Sequence, residues 1–512
     1  MRPRLSRRYL YLTVFVGGLV TLAVELSASR LIEPYFGTSN LIWATLIGLI
    51  LLYLSAGYAL GGWWADRSPR AEVLYRIVVW AAFLIGLIPF VAHPILSLAV
   101  TGFADFNAAL LAGSFVAVLI LFSAPITLLG CVSPFAIRLA VDDVARAGKV
   151  SGRIYAVSTA GSFFGAFLPV LILIPAVGTR STFVTLSLGL MAVGLIGLRR
   201  RAIRLAWMPI AILLLAALVR LDIKSTSGTI FQTESAYNYI QVVQRGDTRY
   251  LLLNEGQGVH SVYNPNRVDA GGTWDFFALA PYFNMPATAD RLQRVAVVGL
   301  AAGTIPRQYS AVFGPIPIDG IEIDPRIVAA GRDYFDMNLP NLSVAVADGR
   351  FALSRSPYRY DVVGLDAYRL PYIPWHLTTV EFFTEVREHL ADAGVVVINV
   401  GHAGNDYRLV DALAATLSQV FPSVHIADVP DTFNTIVYAT AQPTSPDHLR
   451  ANLAGMTHPL TRNAAERALP SLRAPSRGGA VFTDDHAPVE QLTNSIMVNY
   501  LLGIASGQIR LP

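Results

Sequence analysis

Charge is scarce in this chain. Only 14% of its 512 residues are Asp, Glu, Lys or Arg, against roughly 25% in soluble domains, and the hydrophobic share of 54% exceeds the usual level of roughly 45–50%. The shortage is uneven, because long runs without a charged side chain are confined to the first 220 residues. A wholly soluble protein is therefore excluded, and two physical regimes share one chain. Cysteine is almost missing as well. The single Cys131 excludes an intramolecular disulfide and a cysteine-rich zinc site. The nine histidines show no HExxH or similar ligand spacing, so no metal is expected. The formal charge of +4 comes mostly from arginines beside apolar runs, which argues for membrane orientation and against nucleic acid.

A transmembrane helix needs about 20 apolar residues. Candidate segments are 11–29, 41–64, 77–100, 108–129, 155–177, 183–198 and the shorter 206–219. Basic residues fall on alternate loops: Arg2, Arg4, Arg7 and Arg8, then Arg67, Arg70 and Arg76, then Arg138, Arg146, Lys149 and Arg153, then Arg199, Arg200, Arg201 and Arg204. The intervening loops offer only Arg30 and Arg180. This bias predicts a multi-pass protein of the inner (plasma) membrane with a cytoplasmic amino terminus. No cleavable signal is expected, since the first apolar run leads directly into others. Seven full crossings would leave everything after Leu221 outside the cell. Because 206–219 is short for a span, the second half is expected to be cytoplasmic. Glu25 and Arg30, in and at the end of the first segment, read either as a buried pair fixing helix packing or as part of a substrate or ion path. Small residues four apart in "GSFFGAF", 161–167, signal a helix contact.

After Asp222 the texture changes. Residues 229–263 alternate polar and apolar around a Gly-Asp turn, as a small antiparallel meander does. Further on, apolar runs at 295–298, 320–323, 344–347, 362–365 and 395–400 are separated by helix-length stretches. Such runs suit central strands of a parallel sheet covered on both faces. The expected fold is a multi-span α-helical membrane domain (1–221), a β-rich subdomain (222–290), an α/β Rossmann-like domain (291–440) and a carboxy-terminal extension (441–512). Within the last, 441–480 is rich in Pro, Ser and Ala and reads as surface or capping structure.

In a sheet of this kind ligands gather at the carboxyl ends of the strands. The first run leads into Gly299-Leu-Ala-Ala-Gly303, where glycines let backbone approach a ligand and the next helix presents free N–H groups. The second leads to Glu322 and Asp324, at about the spacing where an acid meets a ribose hydroxyl. The third leads to Asp348 and Gly349, the fourth to Asp366 and Tyr368. Each acid alone reads equally well as a helix cap; at successive strand ends they point together to a nucleoside site. Near the end, Asp484, Asp485 and His486 in "FTDDHAPVE" read as a turn opening a helix, or as a metal or substrate patch.

The succession "VVGLAAGT", "GIEIDP", "VADGR", "YDVVGLDAY", "TTVEFF" and "VVVINV", preceded by "ESAY", resembles spermidine synthases and other polyamine aminopropyltransferases, which share the class I methyltransferase fold. "VELSASRLIEPYFG", "GGWWADRSP", "GRIYAVSTAGSFFGAF" and "FTDDHAPVE" further resemble their membrane-fused bacterial relatives. The resemblance implies decarboxylated S-adenosylmethionine as cosubstrate, no metal, and an amine or polyamine acceptor. It implies that Gly299 and Gly303 hold the methionine-derived part of the donor, Glu322 the ribose, and Asp348 the adenine amino group. It makes Asp366 the catalytic aspartate and Tyr237 the tyrosine of the early S-x-Y motif. Chemically, Asp366 is suited to take a proton from the amine, Tyr368 and Tyr237 to orient it, and His376 to act as a further base or to brace its loop.

Two departures stand out. Ala301 and Ala302 replace the family loop's acid, which holds the donor's ammonium, and Arg369 stands where a second acid is usual. An ammonium facing alanine loses its charged partner. Alternatives therefore stay open: methyl transfer from intact S-adenosylmethionine, its carboxylate met by Arg369, or a non-enzymatic polyamine or nucleoside sensing or transport module. For the last, "GGWWADRSPR" resembles a loop of major facilitator transporters, though over one loop only. The lipid bilayer is an expected partner and nucleic acid is not; self-association into a homo-oligomer is left open.

Overall fold

The structure, a computed structural model, describes residues 7–36, 40–102, 109–219, 226–254, 258–368, 372–476 and 478–505. Arg2, Arg4, Arg369 and the boundary expected at 221 lie outside the described residues. The chain forms two units, one of residues 1–226 and 233–239, the other of 227–232 and 240–512.

The first unit is helical: α1 (Arg7–Phe36), α2 (Asn40–Arg67), α3 (Ala71–Gly102), α4 (Ala109–Gly130), α5 (Val132–Ala140), α6 (Ala147–Phe167), α7 (Ile174–Leu198) and α8 (Trp207–Leu218). Among the described residues, five helical stretches are long and apolar enough to cross a membrane. One of them, Val144–Arg204, holds two of the apolar segments seen in the sequence, because a π-helical turn at Leu168–Leu173 carries α6 into α7 and Gly178, with φ of 81°, kinks the path. By contrast α8, at 12 residues, is about 18 Å long at 1.5 Å per residue, well under the roughly 30 Å of a hydrocarbon core. The small residues of "GSFFGAF" sit where α6 meets α1: a Cβ at Gly161 would lie 2.0 Å from the Phe15 carbonyl oxygen, and one at Gly165 2.1 Å from that of Leu19. Backbone-to-backbone approach of this kind is how helices associate when apolar burial alone does not drive them together. Leu51, Leu52, Leu98, Phe163, Leu171 and Ile196 are exposed, so the helices are apolar outside as well as between them.

Arg30 does not pair with Glu25 here. Its guanidinium bonds Glu33 one turn on, at 2.9 Å, and donates to the carbonyls of Ser235 (2.8 Å) and Tyr237 (3.2 Å). The backbone N–H of Thr179 donates to Glu234 at 2.5 Å. Residues 233–239 are thus held by the helices.

β1 (Thr229–Glu234), β2 (Tyr239–Arg245), β3 (Thr248–Leu253) and β4 (Val259–Tyr263) form a four-stranded meander in that order, which apart from Thr233, Glu234 and Tyr239 belongs to the second unit. Then come α9 (Thr273–Phe277), β5 (Val295–Val298), α10 (Thr304–Phe313), β6 (Ile318–Glu322), α11 (Pro325–Tyr334), β7 (Leu342–Val346), α12 (Gly349–Ser354), β8 (Tyr360–Leu365), α13 (Val380–Glu388) and β9 (Leu390–Gly401). The chain continues through α14 (Arg408–Leu417), β10 (Ser423–Asp428), β11 (Asn434–Thr440), α15 (Pro446–Asn452), α16 (Pro459–Ala468) and α17 (Val489–Ala505). The strands form one sheet in the order β10-β11-β9-β8-β5-β6-β7, in which β5 to β9 are parallel, β11 runs antiparallel to β9, and β10, antiparallel to β11, runs the same way as the rest. This mixed sheet is of the class I methyltransferase type. Apolar clusters cover both faces: Leu353, Phe382, Phe383, Leu409, Leu413 and Ile496 on one, Phe276, Phe277, Phe283, Tyr309, Leu449 and Ala464 on the other. Two regions differ from the sequence expectation. β10 and β11 extend the sheet beyond the five apolar runs, and α16 buries Leu460, Ala464, Ala465 and Ala468, so 441–480 is not purely a surface cap.

Candidate active site

Parallel pairing sets the strand tips side by side. Val298 of β5 is in register with Ile321 of β6 and Leu365 of β8, Glu322 with Val346 of β7, and Leu365 with Ile398 of β9. The residues that follow each strand therefore leave the sheet at one edge.

The loop after β5 turns on Gly299 and Gly303, with φ of 82° and 86°. A Cβ on Gly299 would lie 2.5 Å from the carbonyl oxygen of Asp366, so glycine is what lets the two exit loops touch. Ala301 also has positive φ, 48°, a costly conformation for a residue with a side chain. The surroundings hold it there: its N–H donates to Glu322 Oε2 at 2.9 Å, and the N–H of Ala302 donates to Ser261 Oγ of β4 at 2.9 Å. The hydroxyl of Thr304 bonds both backbone groups of Val262. Glu322 is buried, and burial raises its carboxyl to about 7, with Asp324 adding to the rise and backbone N–H groups opposing it.

Asp324 is fully buried and caps α11, accepting from the Arg326 N–H at 2.9 Å. Asp348 caps α12 through Oδ1, accepting from the Phe351 N–H at 3.0 Å, and its Oδ2 lies 3.0 Å from His376 Nε2. A Cβ on Gly349 would lie 2.4 Å from the Val298 side chain.

Asp366 is held from two sides. Trp274 Nε1 donates to Oδ2 at 2.8 Å and Asn399 Nδ2 to Oδ1 at 2.9 Å. Burial raises this carboxyl to about 6, against the lowering effect of the Asn399 and Trp274 hydrogen bonds. Trp274 is placed by α9, whose Asp275 accepts from the N–H groups of Ala270 and Gly271 and from Gln308 Nε2. Asn399 sits on β9 beside the β8 exit. Tyr368 turns its hydroxyl to the Asn399 carbonyl at 2.9 Å, and burial, with the neighbouring Asp366 charge, pushes that hydroxyl well up.

Of the residues singled out from sequence, Gly299, Gly303, Glu322, Asp324, Asp348, Gly349, Asp366, Tyr368 and His376 lie at or beside this edge. Tyr237 is exposed and belongs to the 233–239 segment of the helical unit. Ser261, Trp274 and Asn399 were not foreseen. No spacing marks them, since each reaches the site through the fold rather than through a motif. Among the described residues no group of three or more His, Cys, Asp or Glu side chains is arranged to hold a metal ion.

No family model matches the chain. Over 280 residues it is 31% identical to a probable polyamine aminopropyl transferase of Bifidobacterium longum, a match that takes in 51% of this chain and 61% of that protein. It thus spans less than two thirds of that relative. A polyamine aminopropyltransferase of Vibrio vulnificus is 28% identical over 212 residues, 40% of this chain and 69% of the relative. A solved structure of a probable spermidine synthase from Corynebacterium glutamicum aligns with a TM-score of 0.39 and 21% identity over 51% of this chain and 99% of its own. In sequence, then, about half of this chain is similar to polyamine aminopropyltransferases.

Proposed function

We propose that the chain is a membrane-anchored transferase that moves an aminopropyl group from decarboxylated S-adenosylmethionine to an amine, with Asp366 as the base. The observation that carries this reading is a buried carboxyl between two neutral donors, Trp274 and Asn399, beside a glycine loop and a buried acid at the next strand tip. The sulfonium already activates the carbon beside it. The protein's work is to align the nucleophile and keep it neutral, for lysine-like amines titrate near about 10.4. The amine nitrogen bonds to that carbon, the carbon–sulfur bond breaks, its electron pair leaves sulfur as a neutral thioether, and the surplus proton passes to Asp366.

Gly299 and Gly303 would carry the sulfonium end, Glu322 the ribose hydroxyls and Asp348 the adenine amino group, with Gly349 allowing close approach and Asp324 fixing the loop. The first unit would lie in the inner membrane. The short α8 supports a path that does not cross again, and so a cytoplasmic catalytic half. A second reading, methyl transfer from intact S-adenosylmethionine, is favoured by Ala301 and Ala302 in place of an ammonium-binding acid. Supplying each donor with an amine separates the two: 5′-methylthioadenosine marks aminopropyl transfer, S-adenosylhomocysteine methyl transfer.

A further inference from the structure

The motif "FTDDHAPVE" has no part in the reaction described so far, yet its first acid is deeply engaged. Asp484 takes the Arg350 guanidinium on both carboxylate oxygens, Nη1 to Oδ1 at 2.9 Å and Nη2 to Oδ2 at 3.0 Å, and accepts the Thr379 hydroxyl at 2.7 Å. Its backbone N–H donates to Glu381 at 3.0 Å. The turn itself is pinned: the Val380 N–H donates to the Phe482 carbonyl, the Phe482 N–H to Thr416, and Thr483 and His486 close on each other. Asp484, Asp485 and His486 are all exposed, so what sets Asp484 apart is its bonds and not burial.

Arg350 is the point of leverage. It stands in the first turn of α12, whose cap is Asp348, and its Nη1 also donates to the His376 carbonyl at 3.3 Å. Glu385 holds the same guanidinium from α13. One cation therefore ties together the backbone carrying Asp348 and the backbone carrying His376, whose side chains meet at 3.0 Å. Planar two-point pairing of guanidinium and carboxylate fixes orientation as well as distance.

We propose that Asp484 is a positioning residue for the nucleoside end of the site, locking Arg350 so that Asp348 and His376 stay paired where adenine is read. This rests on the assignment of Asp348 to adenine given above. The test uses the full chain in detergent or nanodiscs, with 5′-methylthioadenosine as binding probe and decarboxylated S-adenosylmethionine plus an amine for kinetics. Asp484→Asn should raise the Kd for the probe and the KM for the donor at least fivefold, leaving kcat and the amine KM within twofold. Asp484→Glu should recover most of the loss, and Asp485→Asn should change nothing. Unaltered donor affinity in Asp484→Asn, or equal losses in both substrates, would overturn the proposal. Should Asp484→Asn fail to fold, Arg350→Lys probes the same bridge from its other side and must show the same donor-selective loss. Wild-type protein that does not bind the probe removes the adenosine assignment and this inference with it; wild-type binding with an indifferent Asp484→Asn removes this inference alone.

Discussion

At the scale of single residues, the proposed chemistry depends on two carboxyls whose burial raises them toward neutrality. Asp366 has to be ionised to take a proton, so turnover should fall as pH drops through about 6. Trp274→Phe removes a donor that favours the ionised form, and should move that acid limb upward; a limb that stays in place in kcat against pH would remove Asp366 from the role. Asp366→Asn should lower kcat about 100- to 10,000-fold while sparing donor binding, measured by calorimetry. Glu322 predicts a different pH dependence. Ribose hydroxyls donate to the ionised form, so donor affinity should be full above about pH 7 and weaken as pH falls below it. Glu322→Ala should raise the donor Kd about tenfold or more, in line with losing charge-assisted hydrogen bonds of about 1.5–3 kcal/mol. Unchanged affinity would sink the ribose assignment.

At the scale of elements, what the sequence reveals depends on how each piece is stabilised. The strands β5, β6, β8 and β9 were readable because central strands buried on both faces appear as unbroken apolar runs such as "VAVV" and "VVVINV", whereas β7, at the sheet edge with no fully buried residue, was found by the same kind of run without that burial. β10 and β11 were not, because "SVHIAD" and "NTIVYAT" mix polar residues into strands whose middles are buried, His425 and Thr435 among them. The same divide runs through the site. Gly299, Glu322, Asp348 and Asp366 follow strand ends and could be found by position, whereas Trp274, Asn399 and Ser261 arrive from a helix, a strand interior and the meander. That α6 makes a close helix contact was legible from its small residues, though α1 as its partner was not, and the contact can be tested. Gly161→Val sets side-chain atoms against the Phe15 carbonyl and should destabilise the helical unit by about 1–3 kcal/mol or more, lowering its thermal transition; an unaltered transition would contradict the packing.

At the scale of the whole molecule, the segment 233–239 is notable because strands on either side of it continue in the second unit while its own contacts are with α1 and α7. Removing the Arg30 guanidinium should free it: in Arg30→Ala the amides of 235–238 should exchange with solvent at least tenfold faster while those of β5, β8 and β9 keep their protection. Equal protection in both proteins would show that Arg30 does not hold the segment. The central claim, that this chain transfers an aminopropyl group, is tested most directly by its co-product. Purified full-length protein, given decarboxylated S-adenosylmethionine and an amine, should release 5′-methylthioadenosine in step with the alkylated amine, and Asp366→Asn should release almost none. No methylthioadenosine from the wild-type protein, or S-adenosylhomocysteine formed from the intact donor instead, would contradict it.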